Sequence, residues 1–244
     1  VVNAAGKFGP YSQPGTARPA PGTGVLATRV LPGRAPTGAE LVRSRIALRV
    51  RLESEAPGER LPDAGVLAEE LGISEITVRR ALEGMCQDGL LDRRRGRSGG
   101  TFVAQDWDTV VAAMHDAEEA AALDAVHLLL ECGLVSHAAG EVPDGGLDGL
   151  RALVDEMNGT DVPARLLELE TRFHLDLAET LGGPGIREFA ADLLGRQCLL
   201  LPAPAPGVVR ARNRHHADLL DELSRGEMAR AVAAVKAHRH AGPV

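Results

Sequence analysis

The sequence predicts a mainly α chain with two folded parts, an N-terminal set of short helices closed by a small β wing and a C-terminal all-α helical bundle. Three observations lead there. Hydrophobic residues make up 44% of the 244 positions but aromatic ones only 2%, so the core must be built from Leu, Ala and Val, which favours packed helices over strands. β character is confined to two short pieces, Leu90–Arg94 and Thr101–Ala104, flanking the Gly-rich run 96–100, the form of a hairpin. Beyond Trp107 nearly every segment reads as helix, punctuated by Pro143, Pro163, Gly182-Gly183-Pro184, the Pro202–Gly207 stretch and Gly226.

In chain order, residues 1–37 are rich in Gly, Pro, Ala and Thr and show no sustained period. They read as a mostly disordered tail, with Gly24–Leu31 as a short extended piece. A helical pattern begins at Gly38, where Leu41, Ile46, Leu48 and Val50 alternate with arginines, and it ends before the turn Pro57-Gly58. Glu59–Leu61 suits a short strand, followed by helices at about Gly65–Leu71 and Glu75–Asp88, then the hairpin. The remaining helices are placed at 107–118, 120–139, 146–157, 162–181, 184–200, 208–224 and 227–239. The expected organisation is a tail over 1–37, a first unit over 38–105 and a helical unit over 106–244.

Composition narrows the functional classes. No stretch approaches the ~20 continuous apolar residues that cross a bilayer, and the first residues show no basic-then-apolar secretion pattern, so no membrane partner is expected. Cys86, Cys132 and Cys198 are far apart, odd in number and not spaced as metal pairs, which fits a reduced, cytoplasmic protein. The net charge of −7 is uneven. Residues 1–37 carry four basic and no acidic side chains, 38–105 carry eleven of each, and 106–244 carry twelve basic and twenty-three acidic. Contact with nucleic acid must therefore come from a local patch.

The segment from Gly65 to Ala104 supplies such a patch. Leu67, Ala68 and Leu71 give one apolar face to a short helix, and Gly72 permits the left-handed conformation that ends it. Ile73 plugs the turn, and Ser74 is a good N-cap for the next helix. There Val78, Ala81, Leu82 and Met85 fall at i, i+3, i+4 and i+7, one buried face. The opposite surface shows Glu75, Thr77, Arg79 and Arg80, as a helix entering a major groove would. The run Arg93-Arg94-Arg95-Gly96-Arg97 and Gly99 lie in the hairpin, where guanidinium groups can reach phosphates or a narrow minor groove. A plain helical hairpin shares the apolar-Gly-apolar-Ser pattern. The whole order of helix, strand, helix, turn, helix and basic hairpin favours DNA.

The motifs "PGERLP", "LAEELGIS", "VRRAL", "DGLL" and "GGTFV" resemble the winged helix-turn-helix of GntR-family bacterial regulators over about residues 38–105. That resemblance implies a homodimer binding double-stranded DNA at a palindromic operator. In the FadR-type branch, arginines usually occupy the positions that are Gly65 and Glu75 here, while Arg79 keeps the base-reading arginine. A carboxylate at a base edge would accept from cytosine rather than pair with guanine, so an unusual operator preference is expected.

In the bundle, Glu170 and His174 are four apart and share a helix face. Alone, such a pair is more often a surface hydrogen bond than a metal site. However, His216 aligns with Leu219, Leu220 and Leu223, and His238 with Val235 and Ala231. Three histidines and a carboxylate facing inward from three helices form a coherent site for a borderline cation. "ETRFHLDLAETLGGP" and "HHADLLDELSRGEMARAVAAVKAH" resemble the FadR-type C-terminal ligand domain, known as FCD, over roughly 107–240. By position the resemblance implies a divalent metal, zinc first and nickel or manganese next, on Glu170, His174, His216 and His238, with Glu170 where Asp is usual. It also implies a small carboxylate effector beside the metal. His127, which stands where the family commonly has Arg, and Arg187 and Arg212 are the candidate effector contacts. The expected function is a repressor-like transcriptional regulator switched by that acid. Three rivals stand beside it, a regulator for which the ion itself is the signal, a metal-dependent hydrolase using the centre to activate water, and a metal-free interaction bundle retaining only the fold. No separate general base or nucleophile has a convincing spacing, so no enzyme is expected.

Overall fold

Helix formation starts at Gly38, where Thr37 and Glu40 cap one another through a 2.8 Å hydroxyl–carboxylate hydrogen bond. The computed structural model describes residues 37–52, 57–96, 99–138, 142 and 145–241. The predicted tail up to residue 36, its Gly24–Leu31 piece and Arg97 lie outside the described residues. The order is α1 (Gly38–Leu52), α2 (Ala64–Leu71), α3 (Glu75–Gln87), β1 (Leu91–Arg94), β2 (Gly100–Val103), α4 (Trp107–Ala113), α5 (Ala117–His137), α6 (Asp148–Gly159), α7 (Pro163–Gly182), α8 (Pro184–Leu200), α9 (Pro206–Ser224) and α10 (Met228–His240). The fold is mainly α with one small antiparallel sheet, as the composition predicts.

Local chemistry explains the boundaries. Proline opens α7, α8 and α9 at the first turn, where its fixed φ suits the helix and its missing N–H is not needed. Asp116 caps α5 by accepting from the N–H groups of Glu118 and Glu119 at 2.9 and 3.0 Å. The hairpin pairs Leu91 with Val103 through to Arg94 with Gly100. Glu59–Leu61 adds a third edge through an Arg60–Phe102 bridge, with Leu61 N–H donating to Thr101 O and Val103 N–H to Glu59 O, both 2.9 Å.

The bundle core gathers Phe173, Leu169, Leu166, Met157, Val209 and Leu220 from α6, α7 and α9, with Val135 and Val235 from α5 and α10. The N-terminal core gathers Val42, Ile46, Leu67, Val78, Leu82 and Met85, and also takes Trp107 and Val111 of α4 and Cys198 of α8. A third cluster joins Leu48 of α1 to Leu134, Leu175 and Leu194. Helix α1 is therefore clamped from both sides. Its buried residues are Val42, Ser44, Ile46, Ala47 and Leu48; of the predicted Leu41, Ile46, Leu48 and Val50 only Ile46 and Leu48 are among them, Leu41 and Val50 being half-buried, because α3 and α8 cover different faces.

The α1–α8 crossing is tight. A Cβ on Gly195 would lie 2.3 Å from Ser44 O, so only Gly permits that approach. Arg45 reinforces it by pairing with Glu188 at 2.7 Å and Asp192 at 2.8 Å. Helix α5 is long and apolar enough to cross a membrane by length and composition. It nevertheless buries His127 and Glu131 against the bundle, a helix interior that lipid would not satisfy.

Candidate nucleic-acid interface and candidate metal centre

Helix α3 is built as the sequence predicts. Gly72 takes φ +62° and ends α2, with its N–H directed to Ala68 O and Glu69 O. Ser74 adopts extended backbone and its Oγ accepts from Thr77 N–H at 3.3 Å. The buried residues of α3 are Val78, Ala81, Leu82 and Met85, the four read from periodicity. Ser74, Glu75, Arg79 and Arg80 are exposed and Thr77 is half-buried.

Two features of this surface were not anticipated. Glu75 holds Arg79 through a 2.5 Å ion pair, so one carboxylate neutralises the arginine expected to read a base. Ile76 is 61% exposed, an apolar side chain at the front of α3, and a thymine methyl is the base feature it could meet. In the wing, Arg94 stacks over Phe102 at 4.1 Å, which aims its guanidinium by a cation–π contact. Arg95 is exposed. Gly99 closes the turn by donating its N–H to Gly96 O at 2.9 Å, and a Cβ there would come 2.6 Å from Arg94 O.

In the bundle, α7, α9 and α10 bring Glu170, His174, His216 and His238 together, all buried, with one donor atom from each within 4.8 Å of the others. Glu170 Oε1 is 3.7 Å from both His174 Nε2 and His238 Nε2, and Glu170 Oε2 is 3.8 Å from His216 Nδ1. These gaps exceed a hydrogen bond yet are under twice the ~2.1 Å of a metal–ligand bond. Both ring nitrogens of His216 and Glu170 Oε2 are buried without a hydrogen-bond partner, a cost that an ion between them would remove. The donor set fits a divalent cation. Phe173 stacks on His216 with centroids 3.8 Å apart, fixing that ring from behind.

Glu131 on α5 completes the cluster and was not anticipated. Its Oε1 accepts from His174 Nδ1 at 2.5 Å and lies 3.1 Å from His127 Nε2. A carboxylate on Nδ1 leaves His174 Nε2 directed toward Glu170, the outer-sphere pattern that orients metal-binding imidazoles. The available signal was its i+4 spacing from His127. Burial alone would lower the His174 pKa, but Glu131 and Glu170 outweigh it and raise it to about 9. For Glu131, burial works upward, yet His174 and His127 hold the carboxyl well below its ordinary value. His216 and His238 are pushed well below the usual range, first by burial and then by neighbouring histidines.

A cavity of about 600 Å³ opens beside Glu170, His174 and His238, and His127 and Arg212 line it. His127 is buried and its Nδ1 lies 3.1 Å from Gln197 Oε1. Arg187 is elsewhere, which corrects the expectation for it. It pairs with Asp176 at 2.5 Å and Glu179 at 3.0 Å on the outside of α7 and α8, so its charge is already used away from the cavity. Arg239, absent from the sequence reading, lines the cavity instead.

The head and the buried site together define a winged helix-turn-helix joined to a helical domain with a cation-ready interior. The chain belongs to the GntR family: the model for bacterial regulatory proteins of the gntR family matches residues 39–103 and the FCD domain model matches residues 122–241. Among its relatives, RmpR of Mycobacterium gastri is 30% identical over 159 residues, 60% of this chain and 56% of RmpR. The histidine utilization repressor of Pseudomonas putida is 38% identical over 87 residues, 36% of this chain and 34% of that protein. The chain thus spans little more than half of one relative and a third of the other. The E. coli McbR/YncC structure is similar in fold, with a TM-score of 0.51 at 18% identity, covering 84% of this chain and 95% of that one.

Proposed function

We propose that this chain is a cytoplasmic, ligand-controlled transcriptional regulator. As a homodimer it places one α3 in the major groove of each half of a palindromic operator, through Ser74, Glu75, Thr77, Arg79 and Arg80. Arg94 and Arg95 of the wing, with Arg97 and the Gly99 turn, approach the phosphates. Residues 38–105 form the reading unit and 106–244 the sensing unit. The observation that carries this reading is the division of labour on α3. Its inner face is filled by Val78, Ala81, Leu82 and Met85, which leaves Glu75, Arg79 and Arg80 with no work inside the protein. Similarity to a histidine utilization repressor supports repression as the direction of control.

Glu170, His174, His216 and His238 would hold a divalent ion, and their N₃O set suits zinc, nickel or manganese. When bound, such an ion supplies positive charge and open positions to which an organic acid can attach. The protein's own residues do the rest. Glu131 fixes the His174 ring, Phe173 backs His216, and Arg212 and His127 face the cavity where the acid would sit. A ligand preferring one dimer arrangement then shifts operator affinity by the difference in its affinity for the two.

Selection of bound sequences from a random DNA library tests the reading, with recovery of a two-fold symmetric site expected. Failure to retain DNA even at low ionic strength would overturn it. A second reading, with the ion itself as signal, is favoured by the burial of all four donors. It predicts that added metal alone, without any acid, shifts DNA affinity about tenfold, or about 1.4 kcal/mol.

A further inference from the structure

The cavity beside the histidine cluster is not enclosed by the sensing domain alone. Its walls include Arg51 from the end of α1, and Ala112 and His115 at the end of α4. Arg51 falls inside the segment matched to the DNA-reading domain. The other basic lining residues, Arg212 and Arg239, come from α9 and α10. Both keep guanidinium nitrogens without a hydrogen bond, although Arg239 Nη2 also lies 3.8 Å from Glu131 Oε2. Arg212 Nε and Arg239 Nε and Nη2 are buried without a hydrogen-bond acceptor. The Arg212 guanidinium approaches Glu170 Oε1 only to 3.9 Å, while Arg239 uses Nη1 on Asp124 at 2.7 Å. Arg51 has no ion pair among the described residues. Buried guanidinium nitrogens without acceptors are costly, and an anion in the cavity would satisfy them.

From this juxtaposition we propose that the cavity takes a dianionic organic acid, one carboxylate held at the Arg212–Arg239 end beside the histidine cluster and the other by Arg51. The inference rests on the organic-acid reading above and names the ligand's class and its route of action. One carboxylate group needs far less than about 600 Å³, so the volume suits a longer molecule with a second charged end. The route is direct. Arg51 lies on the helix that packs against α3 through the shared core of Val42, Ile46, Val78 and Met85, and Arg43 of α1 pairs with Asp88 at the end of α3 at 2.6 Å. A ligand bridging Arg51 to α9 and α10 therefore ties α1, and with it the reading helix, to the sensor.

The test is calorimetric titration of the full chain, loaded with zinc, using straight-chain α,ω-dicarboxylates and the monocarboxylates of matching length. The expected result is that a diacid of fitting length binds at least about tenfold more tightly than its monoacid, as one charge-assisted hydrogen bond would give. Arg51→Gln should remove that advantage, leave monoacid binding unchanged, and keep the melting temperature of the ligand-free protein. Amide exchange in α1 should slow with the diacid on the wild type and not on Arg51→Gln. Equal binding of diacid and monoacid, or a diacid advantage that survives Arg51→Gln, overturns this inference alone. If no acid of either kind binds, the organic-acid reading falls and takes the inference with it.

Discussion

The surface of α3 and the interior of the helical bundle keep their ionisable groups in opposite ways. On α3 the charged side chains are exposed and pair along one helix, as Glu75 does with Arg79. In the bundle interior around Glu131 they are buried and pair between helices, as His174 of α7 does with Glu131 of α5. Exposed pairs contribute little to stability, of order 0–1 kcal/mol, so the head can exchange them for a charged partner at small cost. Buried groups carry a desolvation cost that only a partner relieves. The difference teaches where each half is poised to respond, the head to a surface it meets and the bundle to something that enters it.

The largest expected effect tests whether the bundle interior serves fold and site together. Phe173 is fully buried and stacked on His216. Phe173→Ala should cost roughly 3–5 kcal/mol of stability, read by chemical denaturation. It should also loosen metal binding in whatever fraction stays folded. A variant of near wild-type stability would show that the aromatic stack is not part of the core.

Next comes Glu131→Gln, which keeps the shape but removes the charge on His174 Nδ1. Metal affinity should fall about 10–100-fold, the usual consequence of losing an outer-sphere carboxylate, as measured by competition with a chelator. The wild type should show a matching pH dependence. The folded pKa of His174 is raised from 6.5 to about 9, so its ion pair with Glu131 stabilises the metal-free protein fully below pH 6.5. That contribution is lost as the pH rises through 9. Glu131 is depressed, so its share is present above the ordinary carboxyl range and lost on acidification. A metal displaces the His174 proton, so its affinity should climb about tenfold per pH unit between neutrality and pH 9. A flat profile would mean that His174 does not give up a proton to the ion.

The same contrast explains what the sequence could reveal. The head is legible because its contacts are local. Gly72, the Ser74 cap and the Val78, Ala81, Leu82, Met85 stripe are set by spacings of three and four residues, and the structure reproduces each. Glu170, His174, His216 and His238 were legible because each occupies an apolar register on its own helix. Glu131, Arg51 and Arg239 were not, since the i+4 spacing of Glu131 from His127 does not by itself tell a buried pair from a solvated one, and nothing local marks an arginine ending α1. Their roles arise only when α5, α7 and α10 converge and when Gly195 lets α1 lie against α8. Arg187 shows the opposite error, an arginine at a plausible place in sequence that the fold turns outward to Asp176 and Glu179.

On the head, Arg79→Ala should cost about 1–3 kcal/mol of binding to the selected operator and relax specificity at one base pair. The low end is expected, because Arg79 must first leave Glu75. Glu75→Gln should act oppositely, freeing Arg79 and removing a charge that repels phosphate, so that binding tightens and the preferred site changes. An unchanged preference across the library for both variants would remove these residues from the interface.

The smallest effect separates what the cap does for the fold from what the helix terminus does for DNA. Ser74 accepts from Thr77 N–H and shares a 2.7 Å hydrogen bond with the Thr77 hydroxyl. Ser74→Ala should cost about 1 kcal/mol of stability, the usual loss for a missing N-cap. It should weaken DNA binding only slightly and equally across sequences. Ser74→Asp should keep the cap and so the melting temperature, because a carboxylate favours the positive end of the helix dipole. The same carboxylate would sit where a phosphate should approach, so DNA binding should fall more than for the alanine variant. If both variants bind DNA as the wild type does, the N-terminus of α3 points away from the duplex, and the contrast between an outward-reading head and an inward-sensing bundle fails at its first residue.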